Sequence, residues 1–350
     1  MYKCSVKLNN SYDIIIDKGL LENVGEYIIK CIPSAKKALV VSDSNVYPLY
    51  FNKVKNSLEN AGIETAGFQF EAGEESKNFA TYESVIDACI GEHLTREDVI
   101  VALGGGVVGD IAGFAAATYM RGVKVVQLPT TLLAGIDSSI GGKTGIDIPQ
   151  GKNLVGAFHQ PSIVLYDLNT LETLPALEFK NGLGEGIKYA ILMGGRALEL
   201  LLEGLNENNI EEFVGLCAKY KADIVVADEK EGGQRKLLNL GHTIGHAIEK
   251  KSNYTMPHGA AVIKGILYIA KGAVKHGTLQ KEALDTIIEI CKLYELDYKL
   301  DIDAKDLISE ISSDKKMHAD GSISFIDIEA LGLCKVKKTT IKGLEEYILW

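Results

Sequence analysis

The sequence predicts an α/β, Rossmann-like nucleotide-binding domain over 1–175 and a mainly helical, all-α domain over 176–350. Three observations predict this. A chain of 350 residues with 46% hydrophobic content can bury about two domain cores. In the first half, short apolar runs that end in turn residues alternate with amphipathic helical patterns, which is the mark of a parallel sheet covered by helices. Beyond Leu174-Pro175 a 3.6-residue period dominates instead.

The elements follow in order. "YDIIID" reads as a short strand, hairpinned with "KCSVKL". Apolar runs at 36–43, 62–70, 98–106 and 123–129 read as strands, with helical patterns at 45–61 and 79–91 between them. Residues 127–161 read as a long polar loop, followed by "SIVLYDLNTLETLPALEF" at 162–179. Helical periodicity then covers 183–203, 208–227, 240–251, 258–276 and 280–295, and "GSISFIDI" at 321–328 predicts a small late strand pairing. No internal repeat or low-complexity tract interrupts this order. With two domains, the cleft between them is the expected place for an active site.

Composition excludes several classes. A net charge of −10 without a Lys/Arg run argues against non-specific nucleic-acid binding. Six cysteines (Cys4, Cys31, Cys89, Cys217, Cys291 and Cys334) show no CxxC spacing, which favours reduced thiols over a disulfide framework. No signal peptide and no bilayer-length apolar run is read, so a soluble cytoplasmic protein is expected.

Three segments carry chemistry. In "VIVALGGGVVGDIAGF", Gly104, Gly106 and Gly109 satisfy G-x-G-x-x-G between a strand and a helix, where backbone amides can approach a pyrophosphate. Close helix–sheet packing is the plainer use of such glycines. The ordinary dinucleotide fingerprint sits on the first βαβ unit with an acidic residue about 20 positions on. Here the next acidic residue after Asp110 is Asp137, so Asp43, at the end of "ALVVSD", is the better ribose candidate. The second segment, 127–161, sets Thr130, Thr131, Asp137, Ser138, Ser139, Lys143, Lys152, Asn153 and His159 among glycines. Lysines gathered in such a loop on an acidic chain suit a phosphate or other polyanion better than bare solvation. The third is "LNLGHTIGHAIEKKSNYTMPHG", with His242, His246 and His258, beside "GLGEGIKYAILM" with Glu185 and Lys188. A carboxylate and two histidines make a zinc-like set, and the i,i+4 pair His242/His246 could share a metal. Spacing does not say which two histidines ligate. Isolated histidines such as His276 and His318 are read as ordinary packed or surface residues.

Seven pieces in order now resemble the 3-dehydroquinate synthase family of the sugar-phosphate cyclase superfamily. They are "GGGVVGDIAGF", "RGVKVVQLPTTLLAGIDSSIGGKTGID", "KNLVGAFHQP", "TLETLP", "GEGIKYA", "LNLGHTIGHAIE" and "DKK", spanning about 43 to 316. The resemblance implies NAD in the N-terminal domain and one divalent metal, zinc or cobalt, held by Glu185, His242 and His258, with His246 left to move protons. It implies Lys143, Lys188, Lys221, Arg235 and Asn239 on the substrate hydroxyls and carboxylate, with Asp137 near the reacting carbon. Phosphate would be held by Lys152, Asn153, Lys188 and Lys315 or Lys316, and by Arg121 across a homodimer interface. NAD would contact Asp43, Asn45, Glu74, Lys77, Gly104, Gly105, Gly106, Gly109, Asp110, Thr130, Thr131, Lys143, Lys152 and Thr173.

The implied reaction converts 3-deoxy-D-arabino-heptulosonate 7-phosphate to 3-dehydroquinate and phosphate, in the shikimate route to chorismate and aromatic amino acids. Transient oxidation by NAD, phosphate elimination, re-reduction and aldol closure make it a lyase with no net redox change. Three positions depart from the family pattern: Gly135 where glutamine is expected, Asp147 where asparagine is common, and Ala260 where an acidic residue usually follows His-Gly. Loss of a carboxylate near His258 would tune metal affinity. The competing readings are another sugar-phosphate cyclase (a deoxy-inosose or valiolone synthase), a metal-dependent polyol dehydrogenase, and a non-catalytic binding module on the same fold. Lys221, Arg235 and Asn239 together favour a substrate that carries a carboxylate.

Overall fold

The computed structural model describes residues 1–312 and 322–349; Lys315, Lys316 and His318 lie outside the described residues. The chain divides into two compact units, Met1–Pro175 with Val214–Glu229, and Ala176–Phe213 with Lys230–Trp350.

The first unit is built on a seven-stranded sheet. Its strands are β1 (Tyr2–Val6), β2 (Tyr12–Asp17), β3 (Lys37–Asp43), β4 (Glu64–Phe70), β5 (Val99–Gly104), β6 (Lys124–Pro129) and β9 (Ile163–Asp167), in the order β1-β2-β9-β6-β5-β3-β4. All neighbours pair in parallel except β1, whose antiparallel pairing with β2 is the hairpin the sequence predicts. Strand alternation splits the core. Val40, Val99, Val101 and Leu103 pack on one face with α1 (Val24–Cys31) and α2 (Tyr47–Asn60). Leu39, Val41, Ile100 and Ala102 pack on the other with α3 (Phe79–Gly91) and α4 (Gly106–Thr118). Because the chain leaves β3 over one face and β5 over the other, the carboxyl ends of these two neighbours form a topological switch point.

The segment read as a polar loop is more ordered than expected. It holds a short π-helical turn, Ala134–Ser138, and an antiparallel hairpin of β7 (Lys143–Ile148) and β8 (Gly151–Phe158). Polar and glycine-rich composition hid the hairpin, because its exposed strand shows little apolar alternation.

The second unit contains α5 (Ala176–Met193), α6 (Gly195–Glu203), α8 (His242–Lys251), α9 (His258–Lys275), α10 (Lys281–Leu293), α11 (Ala304–Ser312) and α12 (Ile341–Ile348). The pattern read as one helix over 183–203 breaks at Gly194, whose φ of 68° is left-handed and ends α5. α9 is buried along most of its length and forms the centre of the packing. The late strand pairs as predicted, β10 (Ser322–Ala330) with β11 (Leu333–Thr340). The helix α7 (Ile210–Ala227) begins in this unit and runs on into the first. No helix among the described residues is long and apolar enough to cross a membrane.

Candidate active site

In the second unit, three helices bring the predicted ligands together. Glu185 on α5, His242 at the start of α8 and His258 at the start of α9 offer donor atoms that all lie within 4.8 Å of one another. Glu185 Oε1 is 3.4 Å from His242 Nε2 and 3.3 Å from His258 Nε2. Glycines beside the ligands allow this. A Cβ on Gly184 would stand 2.4 Å from the Gly259 carbonyl oxygen, and one on Gly259 would stand 1.9 Å from the Asn181 carbonyl oxygen. α5 and α9 therefore cross backbone against backbone, which places Glu185 and His258 side by side.

The donor set fits a divalent cation. Glu185 is fully buried, and a buried carboxylate costs several kcal/mol unless a cation compensates it. The Lys188 ammonium, one helical turn along, pairs with Glu185 Oε2. His242 Nδ1 faces the Leu240 carbonyl at 3.1 Å, so this ring donates from Nδ1 and presents the Nε2 lone pair to Glu185. Burial pushes the His242 imidazole down to about 4, and Lys188 and His258 act in the same direction against Glu185. His258 goes the other way. Burial pulls it down, but hydrogen bonds to Glu185 and Glu249 outweigh that and carry it to about 10. One anion and two imidazoles, one of them held neutral, match a three-ligand catalytic zinc site.

His246, one turn after His242, is not among the atoms converging on Glu185. It turns to Glu249, with Nε2 4.0 Å from Oε2, and about a third of its side chain is exposed. Arg235 and Asn239 lie on the short 3-10 helix Gln234–Asn239 that leads into α8, and Arg235 is buried. Asn239 donates from Nδ2 to Glu231 Oε1 at 2.7 Å. Two carboxylates here, Glu249 and Glu231, are absent from the residues singled out by sequence. Glu249 was findable, since it sits three after His246 and seven after His242 on one helical face. Glu231 was not, because its left-handed backbone (φ 61°) lies in a loop without periodicity.

In the first unit the predicted residues form three groups. At the switch point, the Asp43 carboxylate holds the turn before α2 by accepting the amides of Asn45 and Val46 at 2.9 and 3.0 Å, and burial pushes its carboxyl up. Beside it, Gly104 ends β5, Gly105 precedes α4 and Gly106 opens it. A Cβ on Gly105 would lie 3.3 Å from Thr131, and one on Gly106 3.1 Å from Ser138 Oγ. The buried Thr130 hydroxyl has no hydrogen-bond partner among the described residues. A helix N-terminus, a backbone free of side chains and an unused buried hydroxyl fit a dinucleotide. Gly109 is different: its Cβ would meet Gln127 Oε1 at 2.9 Å, a packing role.

The second group joins cofactor and phosphate candidates. Lys77 Nζ lies 2.6 Å from Asp110 Oδ2 and donates to Asn153 Oδ1 at 2.6 Å. Asn153 N donates to Asp147 Oδ1 at 2.7 Å, and Lys152 pairs with Glu74 at 3.5 Å. Burial alone would lower the Lys77 pKa; the carboxylates of Asp110 and Glu74 more than offset it and raise it. Asp147, the departure from asparagine, thus still holds the Lys152–Asn153 turn. The third group is Asp137, in the π-helical turn, paired with Lys221 from α7. Gly135 in that turn is explained by its neighbour, because a Cβ there would fall 2.1 Å from the buried Tyr166 ring.

Three more predicted residues lie on other elements. Lys143 opens β7 and is exposed. Arg121 (φ 68°) lies in the turn after α4. Thr173 shares a hydrogen bond with the Tyr50 hydroxyl.

Comparison with known proteins gives the same direction for both halves of the chain. Residues 67–181 match the model of the 3-dehydroquinate synthase N-terminal family, and residues 182–317 match its C-terminal counterpart. The 3-dehydroquinate synthase of Desulforamulus reducens is 41% identical over 339 residues, covering 94% of this chain and 94% of that one. That of Clostridium acetobutylicum is 38% identical, covering 97% and 96%. Among solved structures, 2-deoxy-scyllo-inosose synthase complexed with carbaglucose-6-phosphate, NAD+ and Co2+ superposes with a TM-score of 0.88 at 24% identity over 99% of each chain. The 2-epi-5-epi-valiolone synthase of Streptomyces hygroscopicus, with NAD+ and Zn2+ bound, gives 0.85 at 26% over 98% and 97%.

Proposed function

We propose the function that follows from one premise: the chain belongs to the 3-dehydroquinate synthase family. It converts 3-deoxy-D-arabino-heptulosonate 7-phosphate to 3-dehydroquinate and phosphate, a carbon–oxygen lyase reaction of the shikimate pathway. The observation that carries this reading is the Glu185–His242–His258 cluster with Lys188 on its carboxylate. It stands on a chain near 40% identical to curated dehydroquinate synthases over almost its whole length, against 24% and 26% for the solved inosose and valiolone synthases.

Glu185, His242 and His258 would hold the divalent metal. Asp43, Asn45, Glu74, Lys77, Asp110, Thr130, Thr131, Lys143, Lys152, Thr173 and the Gly104–Gly106 backbone would hold NAD. When bound, the metal supplies Lewis acidity at a substrate hydroxyl, and NAD supplies a hydride acceptor that is restored in each turnover. The chain's own residues do the rest. His246, a third exposed beside the cluster, takes and returns protons. The buried Arg235 guanidinium suits the substrate carboxylate, which it can meet through two parallel N–H donors. With its amide nitrogen given to Glu231, Asn239 presents Oδ1 to accept from a substrate hydroxyl. Asp137 is held by Lys221, while Lys152, Asn153 and Lys188 would hold phosphate. Lys315 or Lys316 would add a cation, and Arg121 would reach the phosphate of a second copy in a homodimer. The protein would act in the cytoplasm.

The test is phosphate release from the heptulosonate 7-phosphate by protein supplied with NAD and Zn2+ or Co2+. Release that needs both, without accumulation of NADH, is expected. Release from glucose 6-phosphate but not from the heptulosonate would overturn the assignment in favour of another cyclase. Steady NADH formation from a simple polyol would overturn it in favour of a dehydrogenase.

A further inference from the structure

We propose that Glu249 is a positioning residue of the metal centre, holding the His258 ring with one carboxylate oxygen and facing His246 with the other. The inference rests on the metal-site reading above. The two ligand histidines are held differently. His242 Nδ1 is fixed by a backbone carbonyl, that of Leu240, at 3.1 Å. His258 begins α9, and its Nδ1 meets a side-chain acceptor from another helix, Glu249 Oε1 of α8, at 3.2 Å. With Nδ1 so engaged, Nε2 is turned to Glu185 Oε1 at 3.3 Å. A carboxylate behind a ligand imidazole fixes its tautomer and ring plane and raises its basicity more than a neutral carbonyl does.

Glu249 is buried against both histidines. Only 7% of it is exposed, and its second oxygen lies 4.0 Å from His246 Nε2. One buried carboxylate thus bridges a ligand on α9 and the proton-handling histidine on α8.

One alternative use of the same atoms exists, because His246, Glu249 and His258 themselves lie within 4.8 Å and could hold a cation. Stoichiometry separates the two. Metal-free, full-length wild type, Glu249→Gln and Glu249→Ala would be titrated with Co2+ and, by chelator competition, with Zn2+, and folding checked by circular dichroism and cooperative unfolding. Wild type should bind one metal per chain, and both variants one metal about 10–100-fold more weakly. Should the alanine variant not fold, the near-isosteric glutamine variant carries the test. Affinity equal to wild type in a folded variant would overturn the proposal. So would a second metal equivalent in wild type that the variants lose, since Glu249 would then be a ligand itself. No metal bound by wild type would instead overturn the metal-site reading on which this rests.

Discussion

At the scale of single residues, two histidines four apart on one helix face have different partners. Spacing alone allows His242 and His246 to share a metal. In the structure, His242 Nε2 meets Glu185 while His246 Nε2 faces Glu249, and His258 from another helix meets the same Glu185 oxygen as His242. The residue types were legible in the sequence, because a metal site needs a carboxylate and imidazoles. Their pairing was not, since it depends on which side chains α9 brings opposite α8. The division makes a sharp prediction. His242→Ala should lose bound metal, measured by elemental analysis after gel filtration. His246→Ala should keep the metal and slow phosphate release about 10²–10⁴-fold, the usual worth of a positioned general acid–base. If His246→Ala also loses the metal, the division of roles is wrong.

At the scale of elements, the site depends on how closely helices can approach. Gly184 and Gly259 let α5 and α9 cross with backbones in contact, and Gly241 does the same where α8 meets Ile266 of α9. Each glycine is adjacent in sequence to a ligand, so the close approach and the ligand set are one feature of the fold. The glycines were visible beside the histidines, but their purpose was not, because a close crossing is a property of two helices. Adding one methyl group should separate them. Gly184→Ala is expected to destabilise the protein by about 1–3 kcal/mol, the typical cost of overpacking. It should also weaken metal binding although no ligand is changed, as read by denaturant unfolding and metal titration. Unchanged metal affinity would show that the crossing does not set the ligand geometry. Gly135 follows the same logic in the π-helical turn that carries Asp137, where the Tyr166 ring fills the space a larger residue would need.

At the scale of the whole molecule, the parallel sheet is tied together by Asp98. Its carboxylate accepts the amides of Lys36 and Lys37 at the entry to β3 at 3.1 and 2.8 Å, and the amide and hydroxyl of Thr95 at 2.8 Å each. Burial alone would raise its pKa, but these hydrogen bonds outweigh burial and hold it below the usual carboxylate range. A carboxyl with a depressed folded-state pKa contributes stability that is fully present above its unfolded pKa of about 3.9. That contribution is lost as pH falls through the lower, folded value. Asp98→Asn should therefore cost about 1–3 kcal/mol at pH 7, and the gap from wild type should close toward acid, as followed by denaturant unfolding across pH. A gap independent of pH would exclude the charge as its source.

The alternation of strands and helices, the long helical second half and the ligand types were determined by the sequence itself, because periodicity and residue chemistry are local properties. So was the glycine loop, although it does not lie on the first βαβ unit. Only the tertiary structure decided that this loop stands at a switch point, since β5 lies beside β3 and the chain leaves them over opposite faces of the sheet. Likewise, only tertiary packing returned 214–229, with Lys221, to the first unit and showed the hairpin within the polar loop. It alone set Glu249 behind His258. Strand order, helix crossings and carboxylate–imidazole pairs join residues far apart in the chain, and no local pattern records which partners meet.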